Sequence, residues 1–280
     1  MIYDLTHRTL YKYSEPSLFA RHLLHLLPRT RSGQHVREAC LTILPVPDFR
    51  FEEVDYFGNA LTTIVLVAPH DMLEITLRAV IEVEAPAARN AAAAGGRTCG
   101  ATAAEIAEFS VTTALTRADA AIVALAHDAA AGRDDAFGVG LATMRAIHER
   151  FTYRPGVTSV ATTAAAALSR REGVCQDYAH VMLAALRVLG LPCRYVSGWL
   201  RSGEATRGAE QSHAWVSLWT GPGRGWVDFD PTNNIVVGCE HATLAWGRDF
   251  DDVSPVRGVI RGGGQHIPTV EVAMQPRASG

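Results

Sequence analysis

Between Gly173 and Pro192 lies the segment that most restricts the fold. Cys175–Leu189 carries Val181, Leu183, Ala184, Ala185, Leu186, Val188 and Leu189, spread almost all round a helical wheel. A helix without a broad polar face has to be buried, so other elements must enclose it. Gly190-Leu191-Pro192 ends it. Three strand-like runs follow: Cys193–Leu200, His213–Thr220 and Trp226–Asp230. The last two are joined by a Gly221-Pro222-Gly223-Arg224-Gly225 turn, which suits a hairpin. A buried helix on antiparallel strands predicts an α+β fold.

The rest of the chain divides by pattern. Residues 1–84 read as strands. In Asp71–Glu84, Leu73, Ile75, Leu77, Ala79, Ile81 and Val83 share one face of a half-buried strand. Ile2–Tyr13, Val36–Leu44, Arg50–Tyr56 and Ala60–Val67 complete a β-rich, sandwich-like N-terminal domain. Residues 85–103 are rich in Ala and Gly and contain Pro86, which marks a linker. Residues 104–280 form the second domain, with helical spacing over Ala118–Ala131, Ala136–Phe151 and Thr162–Arg171.

Bulk properties exclude several classes. A net charge of −3 gives no indication of a nucleic-acid or anionic-membrane surface, and no such partner is expected. No apolar run is long enough to span a bilayer, and the N-terminus shows no signal-peptide pattern, so a cytoplasmic location is expected. The cysteines (Cys40, Cys99, Cys175, Cys193 and Cys239) include no C-x-x-C pair, which argues for free thiols in a reducing compartment. Cys175, His180 or Cys193 could in principle ligate zinc, but the spacing does not fit a structural site. Oligomeric state is not legible.

Chemistry concentrates around Cys175. A thiol at a helix N-terminus meets unpaired backbone N–H groups and the positive end of the helix dipole, and both favour the nucleophilic thiolate. His213 opens one strand of the hairpin and Asp230 closes the other, so the two are expected side by side, about 5.5 Å apart at Cα. This supplies an imidazole to take the thiol proton and a carboxylate to orient it. Asp228, two residues away on the same face, is a rival for the last role.

The motifs Gly173-Val174-Cys175-Gln176-Asp177-Tyr178-Ala179-His180, Gly190-Leu191-Pro192-Cys193-Arg194-Tyr195-Val196-Ser197-Gly198-Trp199, Ser212-His213-Ala214-Trp215-Val216 and Phe229-Asp230-Pro231-Thr232-Asn233 resemble the transglutaminase-like superfamily. More narrowly they resemble its bacterial cysteine-protease branch, as do the β-rich N-terminal domain and the segment Gly247–Gly258. The resemblance implies a papain-like core with Cys175 as nucleophile, His213 as base and Asp230 as orienting acid. It favours Asp230 over Asp228.

Cys193, within an apolar strand, reads as a core residue, and His180 as a buried structural histidine. Tyr153, Gln176 and Trp215 are candidate substrate or oxyanion contacts, each with an ordinary structural alternative; Trp199 could likewise wall a groove or fill the core. The expected function is thioester-forming hydrolysis of a peptide or glutamine-type amide, with a peptide or protein as substrate and neither metal nor organic cofactor required. Amine transfer by a protein-glutamine transglutaminase is the alternative. A non-catalytic binding module is a further one, and it would be signalled by loss of a triad residue.

Overall fold

The computed structural model describes residues 1–84, 100–201, 207–209 and 211–277. Most of the expected linker, with Cys99, lies outside the described residues.

Strands β1 (Ile2–Leu24), β2 (Gln34–Leu44), β3 (Phe49–Val54), β4 (Ala60–Leu66) and β5 (His70–Val83) pair antiparallel in the order β2-β5-β1-β4-β3. They make one continuous curled antiparallel sheet. Strand β1 continues well past the Ile2–Tyr13 run. Its pairing with β5 breaks between Lys12 and Ser17, around Pro16. Proline has no N–H for a ladder, so an irregularity is where a strand accommodates it. In β5, Leu73, Ile75, Leu77, Ala79, Ile81 and Val83 are buried as the alternation predicts.

The second part begins with α1 (Ala103–Phe109), whose first residue is the last of the expected linker. Thr102 and Glu105 form a capping box at its start, and Glu105 also binds Arg194 at 2.7 Å. Next come α2 (Ala120–Ala130), α3 (Ala136–Arg150), β6 (Thr152–Tyr153), α4 (Ala164–Arg170), β7 (Glu172–Gly173) and α5 (Cys175–Val188). Then follow β8 (Cys193–Leu200), β9 (His213–Trp219), β10 (Trp226–Asp230), β11 (Ile235–Val236), β12 (His241–Gly247) and the short α6 (Phe250–Val253). The order β11-β10-β9-β8-β12 makes an antiparallel sheet.

Helix α5 packs on β8 and β9, with α2, α3 and α4 on its other sides. Every residue from Cys175 to Arg187 is buried, as its wheel requires. Leu183 and Leu186 have no exposed surface, so truncating either to alanine removes contacts worth about 2–5 kcal/mol.

Strands β13 (Val256–Gly262) and β14 (Thr269–Pro276) correct the expected domain boundary. Both pair with β1, so these last strands join the N-terminal sheet rather than the sheet of the second part.

The two sheets meet along β12. Gln34 exchanges both amide hydrogen bonds with the peptide groups of Thr243, each at 2.7 Å. Asn59 does the same with Trp246, at 2.9 and 3.0 Å. Both amides are buried and imitate a neighbouring strand. Arg31 adds an ion pair to Asp228 at 3.0 Å, and Trp199 Nε1 donates to His7 Nδ1 at 3.0 Å. Among the described residues no helix is long and apolar enough to cross a membrane.

Candidate active site

The chain enters α5 from β7, which lies parallel to β6 with Tyr153 opposite Gly173. Val174, the N-cap residue, has no side-chain acceptor. Asp177 compensates: its Oδ2 accepts from the Val174 backbone N–H and from Thr158 Oγ1, both at 2.7 Å. A Cβ at position 173 would stand 2.3 Å from that oxygen, so the turn requires glycine. Burial raises the Asp177 pKa, and its hydrogen bonds oppose the rise. Asp177 is therefore a capping residue.

Cys175 follows as the first helical residue, 9% exposed, with Sγ 4.0 Å from the Ser212 carbonyl oxygen. The next residue in that strand is His213. Its Nε2 lies 2.8 Å from Asp230 Oδ2. The geometry differs from the expected side-by-side pair. The register aligns Val216 with Phe229, so Asp230 falls level with Trp215 and reaches His213 diagonally. Asp228 faces elsewhere, onto Arg31.

Asp230 is the most heavily hydrogen-bonded group in the site. Its Oδ1 accepts from the backbone N–H groups of Thr232 (2.9 Å) and Asn233 (3.1 Å), an Asx turn that Pro231 initiates. Its Oδ2 accepts from His213 Nε2, from Asn233 Nδ2 (2.8 Å) and from His241 Nε2 (3.1 Å). Burial disfavours the charge, but His213 and His241 outweigh it and hold the carboxyl far below the usual range. For His213, burial likewise opposes the charged ring. The Asp230 carboxylate outweighs that cost, the Cys175 thiol adds to it, and the pKa rises to about 10. A carboxylate can only accept, so Nε2 carries the proton and Nδ1 is left as the site that can receive one. Among the described residues Nδ1 has no hydrogen-bond partner.

The segment Arg207–Ala209 covers that edge. Gly208 has φ of 84°, and a Cβ there would stand 2.7 Å from His213 Nδ1 and 3.6 Å from the Tyr153 hydroxyl. Tyr153 therefore borders the site, half-buried beside Tyr178. Gln176 Nε2 donates to the Val160 carbonyl at 3.0 Å and braces the preceding loop. Trp215 is fully buried beside His213, edge-on to His241 at 5.2 Å between ring centres, so its ring offers no exposed surface. Trp199 is also fully buried. Cys193 has its thiol pushed up to about 11 by burial, and His180 its ring pushed down to about 3, so both are inert core groups.

His213, Asp230 and His241 place one ligand atom each within 4.8 Å of one another. Two imidazoles and a carboxylate match the donor types of some transition-metal sites. Here, however, both ring nitrogens and the Asn233 amide converge on a single carboxylate oxygen at hydrogen-bond lengths. That pattern is a hydrogen-bonded anion, not a set of donors facing a common empty point. Sequence reasoning missed His241, whose lone imidazole has no motif around it, and the linking role of Asn233, the last residue of a motif that was noticed.

Residues 123–231 match the transglutaminase-like superfamily model, and residues 3–82 match the bacterial transglutaminase-like N-terminal region. An uncharacterized protein of Mycobacterium leprae is 32% identical over 269 residues, covering 93% of each chain. A protein-glutamine gamma-glutamyltransferase of Pseudomonas aeruginosa is 33% identical over 97 residues, 31% of this chain and 14% of that one. A crystal structure from Cytophaga hutchinsonii, named "putative cysteine protease", superposes with TM-score 0.78 at 18% identity, covering 100% of this chain and 92% of that one.

Proposed function

The chain belongs to the transglutaminase-like superfamily, and on that premise we propose that it is a cysteine-dependent acyl-transfer enzyme hydrolysing peptide or glutamine-type amides. The observation that carries this is the His213–Asp230 contact of 2.8 Å, with Cys175 Sγ 4.0 Å from the carbonyl of Ser212, the residue just before His213.

The thiol proton passes to His213 Nδ1, and Asp230 stabilises the imidazolium formed. The thiolate attacks the amide carbonyl carbon, and the first-turn N–H groups of α5 face the developing oxyanion. The tetrahedral intermediate collapses as the imidazolium protonates the leaving amine, or ammonia from a glutamine side chain. A Cys175 thioester remains. Water then attacks it with His213 taking the proton, the acid is released, and the thiol is restored. Cys175 is 9% exposed and His213 1%, with Gly208 lying against the His213 ring, so a substrate reaches the thiol from its exposed side or after Gly208 shifts.

Amine transfer is the second reading, supported by the stretch similar to the Pseudomonas transferase. Incubation with a glutamine-containing protein and a labelled primary amine separates the two by mass spectrometry. New peptide termini or glutamate residues support hydrolysis, and incorporated label supports transfer. If neither forms with any protein substrate, and Cys175 in the intact chain reacts with iodoacetamide no faster than buried Cys193, the enzyme reading fails.

A further inference from the structure

We propose that His241 is a positioning residue of this site, a second imidazole that shares the Asp230 carboxylate with His213 and moderates its hold on the catalytic proton. The inference rests on the reading of Cys175 and His213 as nucleophile and base.

His241 begins β12, on a different strand from either partner, and is 1% exposed. Its Nε2 reaches the same oxygen that His213 uses, at 3.1 Å against 2.8 Å. Trp215 packs edge-on against its ring and fixes the plane. The ring centres of His213 and His241 are 6.0 Å apart. Because the carboxylate only accepts, His241 must present an N–H at Nε2, with its own Nδ1 buried and unpartnered. The titratable and charged groups facing this network are Cys175 from α5, His213 from β9, and Asp230 from β10, where Asp228 pairs with Arg31 farther along. Among the described residues Tyr195 from β8, Asp177 from α5 and Asp249 just before α6 lie on the thiol side.

A donor on Oδ2 acts in two ways. It helps hold the carboxylate in the orientation His213 needs. It also places the positive end of an N–H dipole beside the imidazolium that forms on His213. Without that donor the carboxylate's field acts on His213 with less opposition. The ring then binds its proton more tightly and surrenders it less readily to a leaving amine.

The test uses the intact chain and no substrate. The iodoacetamide alkylation rate of Cys175, followed by peptide mass spectrometry across pH, should rise in two steps. The first marks ion-pair formation below the ordinary thiol range, and the second marks deprotonation of His213. In His241→Phe, which keeps a ring but removes the donor, the second step should move up by about half a pH unit. His241→Gln, with an amide N–H in reach of Oδ2, should return it to the wild-type position. Should His241→Phe not fold, ring-nitrogen NMR of the wild-type protein decides, with a proton on Nε2 of both histidines expected. An unmoved second step in His241→Phe, or a His241 proton on Nδ1, overturns the inference. A wild-type profile with one step near a free thiol overturns instead the Cys175–His213 reading beneath it.

Discussion

Asn233 and Arg207 hold each other through both sides of a peptide-like exchange: the Arg207 N–H donates to Asn233 Oδ1 at 3.0 Å, and Asn233 Nδ2 donates to the Arg207 carbonyl at 3.3 Å. The same Nδ2 donates to Asp230 at 2.8 Å. One side chain thus ties the covering segment to the acid of the site. Asn233→Ala should lower stability by about 1–3 kcal/mol and speed labelling of Cys175 by a bulky maleimide. Unchanged unfolding and labelling would show that the link carries no weight.

Gly208 is held at a positive φ with no room for a side chain beside His213 Nδ1. Gly208→Ala should cost about 1–2 kcal/mol in urea unfolding from backbone strain alone. It should also hinder the base, so Cys175 alkylation near neutral pH falls. A variant as stable and reactive as wild type would place Gly208 away from the ring in solution.

Replacing each member of the proposed triad should separate chemistry from folding. Cys175→Ala removes one largely buried sulfur and should abolish turnover with little loss of thermal stability. Asp230→Asn leaves five hydrogen-bond donors around an amide that cannot satisfy them all, and should cost about 3–5 kcal/mol as well as activity. Calorimetry of both variants checks this. A Cys175→Ala protein that unfolds readily would point to a structural thiol.

The His213 pKa is raised in the folded state to about 10. Its stabilising contribution is therefore complete below the unfolded value of about 6.5 and disappears as pH climbs through the folded one. The unfolding free-energy difference between wild type and His213→Gln should shrink steadily over that alkaline interval. A difference independent of pH would mean the ring is neutral throughout.

Local patterns made the second part of the chain readable. Cys175–Val188 announces itself through its all-round apolar surface and its glycine and proline boundaries, and the hairpin that carries His213 and Asp230 through its glycine-rich turn. The choice between Asp230 and Asp228 was not readable from strand parity, because both share one face. In the structure His213 contacts Asp230, while Asp228 pairs with Arg31, nearly two hundred residues earlier. His241 and the pairing of β13 and β14 with β1 escaped for the same reason: each depends on contacts distant in sequence, which no local period encodes. Trp215 fits its role as poorly from sequence, since an aromatic residue near a catalytic histidine looks alike whether it backs the ring or fronts the substrate.

The amides of Gln34 and Asn59 finish the outer rim of β12. A fragment that began after residue 84 would present that rim bare, with the peptide groups of Thr243 and Trp246 open to a strand from another molecule. The N-terminal sheet thus caps an edge that could otherwise pair with a second molecule, and a fragment lacking it should self-associate where the intact chain does not.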